Sequence, residues 1–533
     1  VGNLALDANT TGARNAAFGQ GALTENTTGN DNSAFGYYVL DAVTTGSENT
    51  AMGRSALGNV TTGSSNTAIG KYALLATTGS YNTGIGAGSL QTNSTGTRNS
   101  ALGYNSLYAS TTASDNTALG YYALTTNSTD ERNTAVGSYA LESNVDGARN
   151  TAVGFEALEE NTGSYNTGVG YLALTANTTA TYNTGVGYNA ISSNTTGQYN
   201  TAVGGNVLDA NTTGDANTAV GYVALGGNTT GTLNTAIGRN ALESNTTGSY
   251  NTAVGAETLD DNNADNNTAV GYRALNLNTT GADQVAVGRK ALQDNTTGTA
   301  NTAVGTNALQ NCTTGSSNTA VGNSAMDALT TGGTNVSLGM NTLASLTTVS
   351  NCTAIGYNAL NANTSGRENT AVGSNAMDAN TTGEFNDAFG RDALGSGSGF
   401  DSCCAFGNSA LKSNTGDHNC AFGFTALGAN TSGIHNCAFG SNALLNNTTG
   451  DYNVGMGYGT LITCTTGSSN TAMGQQVLQA ITTGNNNTGI GYGAGLDVTT
   501  GSNNNFVGMN AGRSNSPSGS VTTGSNNFVL GNN

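Results

Sequence analysis

The chain lacks most of what an ordinary folded domain uses. It has no tryptophan, one proline (Pro517), seven cysteines and only 9% charged residues among 533. So little charge excludes a charge-driven disordered chain. The 78 glycines do not fall every third residue, which excludes collagen. Only 14 Lys and Arg stand against 32 Asp and Glu, giving a net charge of −18. Nucleic acids and anionic membrane surfaces both require basic patches, so neither is an expected partner. No run of about 18 apolar residues is present to cross a bilayer, and membrane insertion is not expected. Seven cysteines are too few for a disulfide-dense scaffold and leave the redox compartment open. With neither a starting methionine nor a signal-type segment, the chain reads as a processed or excised piece.

What is present is one phrase, repeated. Asn200–Gly221 reads NTAVGGNVLDANTTGDANTAVG, and seventeen residues separate Asn200 from Asn217, Asn217 from Asn234 and Asn234 from Asn251. Counting the opening residue as offset 0, repeats begin at 15, 32, 49 and so on to 504 and 527. The interval is 17, shortened to 16 after residues 66, 150, 251 and 403 and lengthened to 23 at the end. Offset 4 is glycine from Gly19 to Gly531, and offset 3 is always large and apolar, as in Phe18, Met52, Val136 and Leu530. Offset 8 is Leu, Ile or Met from Leu6 to Leu478, lapsing to Gly495 and Gly512. An unbroken period overrides the several-domain expectation for this length. It predicts one repeat domain over 1–533, with regular coils over 1–494, degenerate coils over 495–533 and an inserted loop at 513–519.

Glycine and Asn-Thr corners every 17 residues rule out helix, and Val, Ile and Thr favour strands. The predicted fold is all-β: a parallel β-solenoid, or β-roll, of about 31–32 stacked 17-residue coils. Offsets 1–3 and 6–8 are read as two short strands, with offsets 3 and 8 inward. Corners fall at glycine offset 4 and at Thr-Thr-Gly offsets 12–14, where positive φ is expected. A 16-residue coil is expected to lose its residue at the second corner, leaving the core in place. Offset 11 is usually Asn (Asn26, Asn177, Asn211, Asn295) but also Val43, Val60, Leu329, Leu346, Ile481, Cys312 or Cys464. A position that alternates between amide and aliphatic faces inward, and the amides are expected to satisfy one another as a ladder. One coil carries too little apolar surface to stand alone, so stability must come from the interfaces between coils. At a strand spacing of about 4.8 Å, the coils would build a rod on the order of 150 Å long.

The phrase NTAVG, two variable residues, Ala-Leu and NTTG resembles the head repeats of trimeric autotransporter adhesins. It is more closely similar to repeats of bacteriophage tail-fibre proteins. The resemblance covers essentially the whole chain and implies a left-handed roll with three chains packed side by side. It also implies that Ala at offsets 2 and 7 supplies the flat faces on which chains pack. The longer corner departs from the adhesin repeat, and no coiled-coil stalk, membrane anchor or C-terminal chaperone domain is present. The expected function is a structural, non-enzymatic extracellular fibre protein, a filament subunit or fibre shaft. The alternative is a receptor- or glycan-binding adhesin module. Expected partners are the chain itself, end to end or as a lateral homotrimer, and a cell-surface glycan or receptor. The two ends, Val1 and Gly2 at one and Phe528, Val529, Leu530 and Gly531 at the other, read as uncapped stacking edges.

Candidate sites are few. Cys404, Cys420 and Cys437 share offset 1 in successive coils, and His418 and His435 each precede offset 0. Such a cluster admits zinc or copper, a disulfide, or simply small apolar side chains replacing Thr. No other cofactor is expected. Tyrosines at offset 5 (Tyr104, Tyr121, Tyr171, Tyr188) and before offset 0 (Tyr165, Tyr182, Tyr199) are read as corner covers or sugar platforms. Sequons at offset 11 are inward and unfit for glycans, unlike Asn59 and Asn351. The Thr ladder at offset 1 suggests an ice-binding face, but its parity with offset 3 predicts burial. Gly489–Gly495 resembles a phosphate loop in composition only. Asp260, Asp261, Glu159 and Glu160 sit beside no histidine, so no catalytic constellation is expected.

Overall fold

The computed structural model describes residues 1–516 and 519–531, so Pro517 of the predicted loop lies outside the described residues. The chain divides into two compact units, Val1–Asn266 and Asn267–Asn533. The first carries strands β1 (Ala16–Phe18) to β15 (Thr252–Val254), the second β16 (Thr268–Val270) to β31 (Phe528–Leu530). Each strand is three residues long and occupies offsets 1–3. Within each unit the chain returns after one coil to pair in parallel with itself and in register. Thr201 stands on Thr184 and under Thr218, Ala202 on Gly185 and under Ala219. This is the predicted β-solenoid, with no helix among the described residues.

The other side of the coil is not a second strand. Offsets 6 and 8 both take positive φ, for example Val223 at 57° and Leu225 at 52°, so the expected strand over 6–8 is replaced by a left-handed zigzag. The zigzag is still knitted to its neighbours. The N–H at offset 6 donates to the preceding coil (Val223 N to Gly205 O, 3.0 Å) and that at offset 8 to the following one (Leu225 N to Ala241 O, 2.9 Å). Left-handed leucines are strained, and the inter-coil hydrogen bonds hold them there.

The inward side chains also differ from expectation. Offset 2, not offset 3, points into the coil: Ala202 is fully buried while Val203 is 40% exposed. The cause is steric. The interior is narrow, and the leucine at offset 8 fills it. A methyl built on Gly168 or Gly185, at offset 2, would meet the Leu158 or Leu174 side chain of the preceding coil at 3.2–3.3 Å. Beneath a leucine only Ala or Gly fits, and offset 2 is Ala or Gly in every coil but those of Ser337, Phe506 and Val529, so Val, Ile and Phe at offset 3 go outside, flanked by the rungs above and below. Threonine at offset 1 follows them outward, so its predicted burial is also corrected. Ala at offset 7 is buried as well (Ala224, Ala241), so the alanines at 2 and 7 are core within one chain and not packing faces between chains.

Two amide ladders line the corners of the core. At offset 11, Asn211 Nδ2 donates to Asn194 Oδ1 at 2.8 Å, and Asn228 Nδ2 to Asn211 Oδ1 at 2.8 Å, as the substitution pattern predicts. A second ladder at offset 0 carries no aliphatic substitution that would flag it. Asn217 N donates to Asn200 Oδ1, and Asn217 Nδ2 and Asn228 Nδ2 converge on the Gly231 carbonyl at 2.9 and 3.0 Å. That glycine, at offset 14, does not have positive φ as expected. It is needed because a Cβ would stand 2.4 Å from both Asn228 Oδ1 and the Gly248 carbonyl oxygen. Glycine at offset 4 does need its backbone freedom: Gly204 has φ +143°, and a Cβ would lie 2.1 Å from the Gly221 oxygen. In the short coil from residue 150, Asn161 still reaches Asn144 Oδ1 and the Gly163 carbonyl at 3.1 and 2.7 Å. The missing residue comes from the corner and the core ladder is undisturbed.

Candidate functional site

Because offsets 1 and 3 face outward, the strand side of each unit presents a ladder of Thr beside a ladder of Val, Ile, Leu, Met or Phe. From Thr134 to Val254 the first unit shows eight successive rungs of Thr-x-Val or Thr-x-Ile. At offsets 1 and 3 only one residue in the whole chain is charged, Asp387. The molecule's acidic side chains lie at other offsets. A shallow hollow of about 280 Å³ opens on this face between Ile85, Leu102 and Leu119, with Thr83, Ser100 and Thr117 alongside. Monomers rarely expose contiguous apolar patches beyond a few hundred Å², and fifteen rungs about 4.8 Å apart and about 10 Å wide amount to roughly 700 Å². The signal available in the sequence was the avoidance of charge at both offsets, masked by reading offset 3 as core.

The cysteine cluster lies on this face. Cys404, Cys420 and Cys437 stand in register on β24 (Cys404–Phe406), β25 (Cys420–Phe422) and β26 (Cys437–Phe439), directly above Asp387 of β23 (Asp387–Phe389). All three are half-buried and free. Burial, with the neighbouring Cys404 and Cys437 second, pushes the Cys420 thiol up to about 11. Burial, with the Asp387 charge second, also raises Cys404. Beside them Phe389, Phe406, Phe422 and Phe439 stack at 4.6–4.9 Å. His418 and His435 stack face to face at 4.9 Å, and His435 on Tyr452 at 5.0 Å. The two histidines therefore stack on each other, and among the described residues no three His, Cys, Asp or Glu converge on a common point. The remaining cysteines are interior. Cys312 and Cys464 replace Asn at offset 11, Cys352 and Cys403 replace it at offset 0, and their thiols donate to corner carbonyls such as Gly315 and Gly366.

The other candidates resolve by burial. Asn26, Asn177, Asn211 and Asn295 are fully buried, whereas Asn59 and Asn351 are exposed. Tyr165, Tyr182 and Tyr199 stack at 4.8 and 5.3 Å within 4° and 8° of parallel. Their ring faces cover one another, which leaves edges and hydroxyls outward. Gly489–Gly495 begins within β29 (Thr488–Ile490) and runs on through the corner of its coil. Gly489 is small because a Cβ would strike Val477 Cγ1 at 2.5 Å. The Glu159 carboxyl is raised by burial and by the charges of Glu156, Glu142 and Glu160, which together form an acidic surface. At the predicted edges, the Val1 amino group donates to the Ala17 carbonyl at 2.6 Å and Gly2 lies beside Gly19. Phe528, Val529 and Leu530 pair with β30 (Asn505–Val507), and Gly531 N donates to the Val507 carbonyl. Neither a protein-family model nor a curated protein matches this chain.

Proposed function

We propose that this chain is a structural, non-enzymatic extracellular fibre protein, a filament subunit or fibre shaft that joins copies of itself. The observation that carries the reading is the in-register stacking of near-identical coils: each coil offers the next the same hydrogen-bond ladder and the same amides that it accepts from the one before. A fold whose interfaces are all alike supports elongation. Lateral association is assigned to the outer Thr/Val face. Its roughly 700 Å² on the first unit is close to the roughly 800 Å² per partner of a standard interface, and the acidic charge at other offsets opposes contact elsewhere.

The test is to compare the chain with a Val203→Lys/Val220→Lys variant by sedimentation velocity and electron microscopy. Association of the parent, with loss of its lateral component in the variant, is the expected result. A parent that stays a monodisperse monomer at all concentrations overturns the proposal. A second reading, a receptor- or glycan-binding module, is favoured by the outward tyrosine edges, among them Tyr171 and Tyr188, stacked at 5.5 Å. Saturable binding on a glycan array that Tyr171→Ala and Tyr188→Ala abolish would support it, and a blank array removes it.

A further inference from the structure

The tyrosines that precede offset 0 in three successive coils form a stack of three rings. Tyr165, Tyr182 and Tyr199 share one backbone setting, with φ of 63°, 61° and 59°. Each N–H is tied to a carbonyl of the coil before it, that of Ala148, Ser164 or Thr181. With the backbones repeated one coil apart, equivalent ring atoms lie over one another. The Tyr165 and Tyr182 centroids are 4.8 Å apart with planes 4° from parallel, and Tyr182 and Tyr199 are 5.3 Å apart at 8°. The stacked pairs Tyr104–Tyr121, Tyr122–Tyr139 and Tyr171–Tyr188 stand farther apart, at 5.6, 6.0 and 5.5 Å. Tyr37–Tyr38 and Tyr121–Tyr122 meet edge to face. Arg149 holds the same position one coil earlier, donating to the Tyr165 hydroxyl and lying 5.2 Å over its ring, and Ala216 holds it one coil later. The stack therefore ends after three rings. They are 41%, 49% and 60% exposed, so their hydroxyls and outer edges are open to a reagent in solution.

Parallel stacking is an ordinary way for aromatic side chains to pack, but two phenols stacked in register are also placed for oxidative coupling. One-electron oxidation of a phenol removes its O–H hydrogen as a proton and an electron and leaves unpaired spin on the ortho carbons. Two such radicals held face to face bring their ortho carbons together without diffusion.

We propose that Tyr165 and Tyr182 are a modification site, joined by a dityrosine bond that staples one coil to the next when the chain meets hydrogen peroxide and a peroxidase-class catalyst. One peroxide balances one bond. Each phenol gives up one electron and one proton, the peroxide takes both pairs and becomes two waters, and a C–C bond forms between ortho carbons. The ortho hydrogen of each ring then moves to its oxygen and restores the phenol. The product is two hydrogens lighter than the parent. The bond needs only the stacking of coils within one chain and does not depend on association between copies.

The experiment treats a mixture of unlabelled and heavy-nitrogen-labelled full chain with a haem peroxidase and hydrogen peroxide. Dityrosine is followed by its fluorescence, and the products are digested with a protease that cuts at apolar residues such as Leu172 and Leu174, between the two tyrosines. Mass spectrometry is expected to find the Tyr165 and Tyr182 peptides linked, two hydrogens light and of a single isotope composition, as the most abundant tyrosine link. Tyr182→Phe keeps a ring in the stack and is expected to abolish that product, whereas Tyr104→Phe leaves it unchanged. Absence of the 165–182 link overturns the proposal. So does a 165–182 link of mixed isotope composition, which would join two chains, or a Tyr104–Tyr121 link that exceeds it.

Discussion

Two stretches of the molecule solve the same packing problem in opposite ways. From Asn150 to Gly255 the first unit repeats one solution: a small residue at offset 2 and a leucine or isoleucine at offset 8. In the second unit, around Phe506, the sizes are exchanged. Phe506 sits at offset 2, fully buried, and offset 8 is glycine in its own coil (Gly512) and in the one before (Gly495). A Cβ on either glycine would stand 2.5–2.8 Å from the Phe506 ring, so one ring fills the space of two leucines. The exchange recurs elsewhere. Gly397 replaces Asn at offset 11 where Phe400, fully buried, replaces Gly at offset 14. Ser337 and Thr342 replace two alanines of one coil and hydrogen-bond each other. What is conserved along the solenoid is the volume and the polar satisfaction of a coil, and the identity at any one offset is free to change when a facing offset changes with it.

The largest expected effect comes from undoing one such exchange. Phe506→Ala empties a space shared by two coils and is expected to cost about 3–5 kcal/mol, read as a lower denaturant midpoint. Adding Gly495→Leu and Gly512→Leu is expected to recover most of it, since both glycines have the positive φ (61° and 74°) that leucine adopts at this offset elsewhere. The converse change, Ala202→Phe in the uniform stretch, overpacks an intact coil with no compensation and is expected to cost about 1–3 kcal/mol or more. Failure of the glycine replacements to rescue would break the volume argument.

The amide ladder gives the next effect. Within a run, Asn211→Cys leaves Asn194 Oδ1 without its donor. At the end of a run, Asn295 Oδ1 is already unpartnered because Cys312 follows. There Asn295→Cys removes the Nδ2 donor to Asn278 Oδ1 together with an oxygen that was already unsatisfied. The mid-run change is expected to cost about 1–3 kcal/mol more than the end-of-run change, measured by amide hydrogen exchange of the affected coils.

A smaller effect depends on pH. Burial raises the Asp209 carboxyl above its ordinary 3.8, against a lowering by backbone amides. A raised folded value means that stability is fully present below the unfolded value and is lost as pH rises through the folded one. Asp209→Asn is therefore expected to raise the melting temperature at pH 7, with the gain vanishing as pH falls below about 3.8. A gain that grew on acidification would contradict the assigned cause. The smallest effect is on the outer face. Thr201→Val is expected to change stability by no more than about 0.5 kcal/mol, since Val285 and Val336 already stand at that offset. A large loss there would mean that offset 1 is not exterior.

The 17-residue period, the parallel stacking, the inward amides at offset 11 and the shortened corners were all legible in the residues, because each depends on spacing or on a substitution pattern. The offset 0 ladder was not, since an almost invariant Asn shows no alternation from which to infer burial. The thiol rungs were legible as neighbours from their common offset, but not as an outward line beside a carboxylate.

By itself the sequence determined that identical coils must stack, because a repeat this short and this poor in apolar residues gains stability only from copies of itself. Which face of the strand is core was decided by the tertiary structure. Alternation marks two faces without saying which is inside, and the larger apolar residue is the usual guess. Wherever the opposite wall carries leucine held at positive φ, it leaves room for little more than a methyl, so the alanines of offset 2 are buried and the valines and phenylalanines of offset 3 form the surface.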